Sequence, residues 1–346
     1  MPNDLPVEEP ESSVQSPPWS ELSISRRLLR PRTLISFAVA VAVVLIAFSR
    51  LHLDFGTVFD EMSRANPFEM ALAFVTYYAS LAVRSWRWRY LLENAKVVPA
   101  DGPERPSVPH IYSIFVLSWF VNCLVPAKLG DAYRGYLLKQ RQQSSFAAAL
   151  GTIVAERLID LMSLALLLLV SGLLVFGEHI PAQASGWMEL AIGLGVALFI
   201  GVLVAYRFRA HLRGIVPERI KHHYIRVEEG LLGSFRRIPI LAGLTLVIWS
   251  MEGLRLYFVT LSVSAHISVP AALFVALLAS LLTVIPFTPA GLGFVEVGTV
   301  GVLALLGATH ATGASIAFLD RLVAYWSVIL VGAVLYPVMR IRWRKS

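Results

Sequence analysis

Glu156, Arg157 and Asp160 stand together inside an apolar run from Phe146 to Phe176. Glu252 and Arg255 lie inside a second run, Ile238 to Val263, and Asp320 and Arg321 inside a third, Gly313 to Met339. A charge near the centre of a membrane-crossing helix costs about 2.5 to 3.5 kcal/mol on insertion scales, so each must face protein or water and have a partner. Glu156 and Asp160, four residues apart, share a helix face; Arg157 is offset by about 100° and reaches either acid or a facing helix. Two chemistries fit this pattern. The charges are buried ion pairs that fix helix packing, or they line a polar interior that holds a headgroup or an ion. Three clusters in three runs favour a pathway, with the packing role left open.

The elements that would position these charges are broken. Pro126 to Gly130 reads Pro-Ala-Lys-Leu-Gly, and Pro289 to Gly293 reads Pro-Ala-Gly-Leu-Gly. Arg157 follows the first closing glycine by 27 residues and Arg321 follows the second by 28. Each break comes after an apolar run too short to cross a bilayer: Ile111 to Pro126, 16 residues, would reach about 24 Å as a helix against a hydrocarbon core of about 30 Å. We read an internal repeat with halves at about 111–176 and 269–339, each opening with a re-entrant helical hairpin. Backbone N–H groups freed at such a break need a polar cavity or an anionic ligand, because lipid satisfies none of them. Pro289, Gly291 and Gly293 suit the turn. Glu296 falls in the first turn of the next half-helix, where the dipole favours a carboxylate with or without a function. Asn122 either caps the first break or touches ligand. Lys128, Asp131 and Arg134 either bind lipid phosphate at the cytoplasmic face or serve to orient the chain.

Composition sets the class. Of 346 residues, 56% are hydrophobic and 15% charged, with mean hydropathy +0.66, whereas soluble domains carry about 25% charged residues. The fold class is an all-α polytopic membrane protein. Cys123 is the single cysteine, which excludes a disulfide framework and a four-thiolate metal site. The net charge of +7 reflects Lys and Arg beside apolar segments, an orientation signal rather than a nucleic-acid one. Residues 1–25, rich in Pro, Glu and Ser, read as a disordered cytoplasmic tail. Basic flanks then predict six full spans, Thr33 to Ser49, Pro67 to Val83, Phe146 to Phe176, Trp187 to Tyr206, Ile238 to Val263 and Gly313 to Met339, with both termini cytoplasmic. The second hairpin comprises Val269 to Pro286 and Phe294 to Leu306. In this topology Arg84, Arg87 and Arg89 flank a span at the cytoplasmic face, and Arg207 to Arg237 is a basic cytoplasmic loop. The hairpins enter from opposite sides, which makes the repeat inverted. Counting every apolar run as a span gives eight instead, but misplaces the cations after Pro126.

Four strings together resemble the flippase-like family, the transmembrane region of lysylphosphatidylglycerol synthases and their stand-alone relatives. They are Arg84-x-x-x-Trp88-x-x-Leu91-Leu92; Asn122-x-x-x-Pro126-x-x-x-Gly130-Asp131-x-x-Arg134; Glu156-Arg157-x-x-Asp160; and Ile285-Pro286-x-x-Pro289-Ala290-Gly291-Leu292-Gly293-x-x-Glu296. The match covers residues 30 to 340. Ala290 stands where such relatives commonly have glycine. The resemblance implies movement of a lipid with an anionic or modified headgroup between leaflets of the cell membrane. The synthases' soluble aminoacyl-transfer domain has no counterpart in this sequence, so we expect a translocator rather than that enzyme, with no cofactor and no metal. Competing readings are a membrane-embedded transferase in glycolipid assembly, with Glu156, Asp160 or Glu296 as general base, and a non-catalytic partner of a lipid-modifying enzyme. Expected partners are anionic membrane lipids, a second copy of the chain or such an enzyme, and no nucleic acid.

Overall fold

The computed structural model describes residues 54–125, 128–177, 181–283 and 288–345, with a few helical positions between 38 and 49. The tail 1–25, most of the span Thr33 to Ser49, Pro126 and the Ile285-Pro286 pair lie outside the described residues. Among the described residues from 54 onward thirteen α-helices follow one another, and no strand occurs among the described residues. They are α1 (Phe55–Ser63), α2 (Pro67–Asn94), α3 (Val108–Leu124), α4 (Leu129–Gln142), α5 (Phe146–Phe176), α6 (Ala182–Arg207) and α7 (Arg209–Ile215). These lead into α8 (Glu218–Ser234), α9 (Ile238–Ser262), α10 (Val269–Leu282), α11 (Phe294–Leu305), α12 (His310–Arg321) and α13 (Ser327–Lys345). The protein is an all-α polytopic membrane protein.

Local chemistry sets the helix starts. Asn66 accepts the Phe68 N–H ahead of Pro67, Ser145 accepts from Ala148, Ser268 from Ala271 and Thr309 from Thr312. Each removes one of the orphan donors that a helix start leaves. Four described helices are long and apolar enough to cross a bilayer: Phe146–Phe176, Ser185–Arg207, Ile238–Ser262 and His310–Met339. In the last of these, α12 runs into α13 through a π-helical turn, Leu322–Trp326. Large apolar side chains such as Leu174, Leu330 and Val334 stay exposed on these helices, as a lipid-facing surface requires.

The short helices take the centre. α3 packs on α4 and α10 on α11, so each break closes a helical hairpin. Ser118 Oγ donates to the Gly130 carbonyl at 2.8 Å. A Cβ on Gly130 would fall 2.0 Å from the Ser118 carbonyl, so only glycine lets the two arms approach this closely. α3 and α10 are enclosed on most sides: Ile114, Phe115, Leu117, Phe274 and Leu277 are fully buried. α3 also meets the short 3-10 turn Pro289–Gly291 at the second break, so the two hairpin tips come together.

Two expectations are corrected. α2 does not end at Val83 but continues to Asn94, and it carries Arg84 and Arg87 into the interior instead of leaving them at a water-facing flank. Arg207 to Arg237 is not a loop. Most of it forms α7 and α8, and α8 lies against α5 where two glycines permit contact: added Cβ atoms would sit 2.2 Å from the Val227 carbonyl at Gly151 and 2.1 Å from the Ala148 carbonyl at Gly230.

Candidate functional site

The sequence-predicted charges converge on one polar centre, together with two arginines from α2. Arg157 grips Asp131 with two donors, Nε and Nη2, both at 2.9 Å. It lies 3.9 Å from Asp160. Asp160 also binds Arg87 in fork geometry at 2.6 and 2.9 Å, and Arg87 lies 3.5 Å from Glu156. Glu156 in turn is 3.0 Å from Arg134, whose guanidinium has no well-aligned hydrogen bond and rests between the faces of Trp88 and Phe115, 4.5 and 4.8 Å from the ring centres. The aromatic faces supply cation–π attraction where a sixth carboxylate contact would otherwise be needed.

Two further groups complete the centre. Glu252 bridges Arg84 at 3.1 Å and Arg255 at 3.2 Å, and Arg255 reaches Asp320 at 2.7 Å. Arg321 Nε donates to Glu296 Oε1 at 2.7 Å, while its Nη2 lies 3.3 and 3.4 Å from the carbonyls of Ala290 and Gly291. Glu296 also accepts the Gly293 N–H at 2.6 Å. It thus caps α11 and orients Arg321 at once. Pro289 and Gly291 form the turn that this arginine clamps.

A cavity of about 170 Å³ lies where the groups meet. The first hairpin lends it Asn122, Cys123 and Lys128, and the second lends it Ser280, Thr283, Thr288 and Ala290. Arg84, Arg157, Arg255, Arg321, Glu252 and Asp320 bring charge to its wall, with Tyr77 and Trp119 as aromatic members. Asn122 caps the first break, its Oδ1 accepting from Gly130 N at 2.8 Å and its Nδ2 donating to Asp131 at 3.2 Å. Tyr325 holds the first hairpin from behind the wall, its hydroxyl donating to the carbonyl of Cys123 at 2.8 Å.

Against the sequence reading, the placements of Arg134, Asp131 and the Asp320–Arg321 pair differ. Arg134 is not a rim residue: it is fully buried, and Asp131 faces Arg157 rather than solvent. Asp320 and Arg321, whose adjacency in one run reads as a third ion pair beside Glu252–Arg255, are not each other's partners, because adjacent helix positions point about 100° apart; Asp320 pairs with Arg255 and Arg321 with Glu296. Arg157 finds its main partner on a facing helix, one of the two options that its offset allowed. Arg84 and Arg87 were missed as site members. The signal was present in the need of Glu252 and Asp160 for cations and in the three-residue spacing that puts 84 and 87 near one face.

The sequence model for the lysylphosphatidylglycerol synthase transmembrane region matches residues 34–332. A UPF0104 membrane protein of Methanocaldococcus jannaschii is 35% identical over 64% of this chain and 94% of its own length. One from Methanothermobacter thermautotrophicus is 22% identical over 86% of this chain and 94% of its own length. Glycosyltransferase AglD of Haloferax volcanii is 26% identical over 91% of this chain and 56% of that protein. With the family match covering most of its length, the chain belongs to the lysylphosphatidylglycerol synthase transmembrane-region family.

Proposed function

We propose that this protein moves an anionic phospholipid or polyprenyl-phosphate lipid between the leaflets of the cell membrane, with both termini cytoplasmic and the two hairpins re-entering from opposite sides. The observation that carries the reading is the cavity between the hairpin tips, whose wall holds Lys128, Arg157 and Arg321. Broken helices meeting at a polar cavity, in two related halves, are the architecture that transport proteins use for a central binding site. A headgroup in that cavity would exchange its hydration for guanidinium and ammonium donors, while acyl chains stay in lipid. The test is leaflet-resolved movement of labelled lipids in liposomes that contain this protein alone. Movement of anionic lipid above the protein-free rate supports the reading, and its absence overturns it.

The likeness to AglD favours a second reading, a transferase in glycolipid assembly. Donor-dependent product without lipid movement would select it.

A further inference from the structure

Among the described residues the polar centre divides into three ion-paired groups, each with equal numbers of arginines and carboxylates. Arg157, Arg87 and Arg134 balance Asp131, Asp160 and Glu156. Arg84 and Arg255 balance Glu252 and Asp320. Arg321 balances Glu296. Every one of these arginines has a carboxylate within 3.1 Å. Lys128, at the tip of the first hairpin with φ of 52°, is left over. It lines the cavity and pairs with no carboxylate among the described residues. A second orphan lies on the same wall: Thr288 is buried, and its hydroxyl has no hydrogen-bond partner among the described residues.

We infer that the cavity selects a phosphodiester headgroup of net charge minus one whose remainder is uncharged and carries hydroxyls, as in a polyol or sugar phosphodiester. This rests on the translocator reading and narrows it to diester lipids, a bare polyprenyl phosphate being a monoester. In a low-dielectric interior an unmatched charge is far more costly than a matched one. Counted over the whole centre, the six arginines are matched by six carboxylates and Lys128 leaves one positive charge in excess at the cavity; a diester supplies one negative charge. A phosphomonoester carries about −1.5 to −2 near neutral pH, since its second pKa is about 6, and would leave negative charge uncompensated. An amine-bearing headgroup needs a carboxylate, and all six are already held by arginine. Burying a hydroxyl without a partner is costly, and a ligand hydroxyl would satisfy Thr288. Ser280 and Thr283 donate to their own helix carbonyls at 2.8 and 2.7 Å, which leaves their oxygens free to accept. A cavity of about 170 Å³ has room for a headgroup.

The test is retention of lipids by the detergent-solubilised protein in native mass spectrometry, with phosphatidylglycerol, phosphatidylmethanol, phosphatidic acid, phosphatidylethanolamine and lysyl-phosphatidylglycerol of equal chain length in competition. We expect phosphatidylglycerol to be retained about tenfold over phosphatidic acid, the zwitterion and the lysyl lipid, a difference that a single unmatched charge readily provides. Lys128→Gln should abolish that preference over the zwitterion, and Lys128→Arg should keep it. Phosphatidylmethanol has the same charge and no hydroxyl, so it should fall behind phosphatidylglycerol in the wild type and draw level in Thr288→Val. Equal retention of the monoester and the diester, or an unchanged order in Lys128→Gln with an unchanged melting temperature, overturns the charge match. Equal retention of phosphatidylglycerol and phosphatidylmethanol overturns the hydroxyl assignment. The same lipids are then followed between leaflets in liposomes: a preserved binding order without movement rejects translocation and leaves the selectivity standing.

Discussion

Glu296 and Arg321, 25 residues apart in sequence, meet at 2.7 Å through the arginine Nε. Asp131 and Arg157, 26 residues apart, meet through Nε at 2.9 Å. In each half of the chain a carboxylate in the first turn after a helix break is held by an arginine on the long helix that follows. The same carboxylate–arginine contact thus recurs after both breaks. Each arginine ties a hairpin tip to a membrane-crossing helix, so a shift of either helix would be felt at the cavity.

Arg157→Lys and Arg321→Lys separate charge from shape. Lysine keeps the cation but loses the planar fork, so the two-donor grip on Asp131 becomes a single contact and the carbonyl contacts at Ala290 and Gly291 are lost. We expect folded proteins, destabilised by about 1 to 2 kcal/mol, with lipid movement clearly reduced. Thermal unfolding in detergent and the liposome assay read the two effects independently. Wild-type movement by both folded variants would remove the arginines from headgroup binding.

Replacing one member of the Glu296–Arg321 pair has a different signature from replacing both. Arg321→Met strands a buried carboxylate and should cost about 3 to 5 kcal/mol, whereas exchange of a whole buried pair for apolar residues of similar size is often neutral or stabilising. We therefore expect Glu296→Met with Arg321→Met to regain most of the lost stability without regaining lipid movement. Recovery of both would make the pair a packing device only.

How much of this was legible in the sequence follows from the range of each interaction. Helix boundaries of α5, α9 and α11 were readable to within one residue, because apolar runs and caps are local. The acids and arginines of the site were readable as residues, because charge inside an apolar run is costly wherever it falls. Their partners were not. Arg255 with Asp320, Arg84 with Glu252 and Arg134 with Glu156 join positions far apart in the chain, and only packing decides such pairs. Arg84 and Arg87 misled for a related reason: a basic cluster after an apolar run signals a cytoplasmic flank, and the signal does not register that α2, which packs against α9, continues for another eleven residues. The α8 contact with α5 was hidden because its cause is two glycines, Gly151 and Gly230, whose meaning appears only when the helices cross.

That crossing is directly testable. A Cβ at Gly230 would meet a backbone carbonyl at 2.1 Å, and neither helix can yield without moving as a body. Gly230→Ala should destabilise the protein by about 1 to 3 kcal/mol, the usual range for overpacking. Hydrogen exchange should rise along α8 first and leave α3 and α10 protected. An unchanged melting temperature and exchange pattern would show that the α5–α8 contact is loose.

The last prediction concerns the meeting of the hairpins. Asn122 and Thr288 line one cavity from different halves of the chain, and Tyr325 anchors the first tip by its bond to the Cys123 carbonyl. With Cys123→Ser as background, cysteines at 122 and 288 should be joined by a short bifunctional thiol reagent and shift the protein's gel mobility after cleavage between the halves. Asn122→Cys also removes the cap on Gly130, which costs about 1 kcal/mol, so the melting temperature of the double-cysteine protein must be confirmed first. An anionic lipid seated between the tips should protect both thiols, and a zwitterionic lipid should protect them less. A folded protein whose two positions label freely from opposite aqueous sides, without cross-linking, would mean that the breaks are ends of separate spans, and the cavity would lose its place as the site.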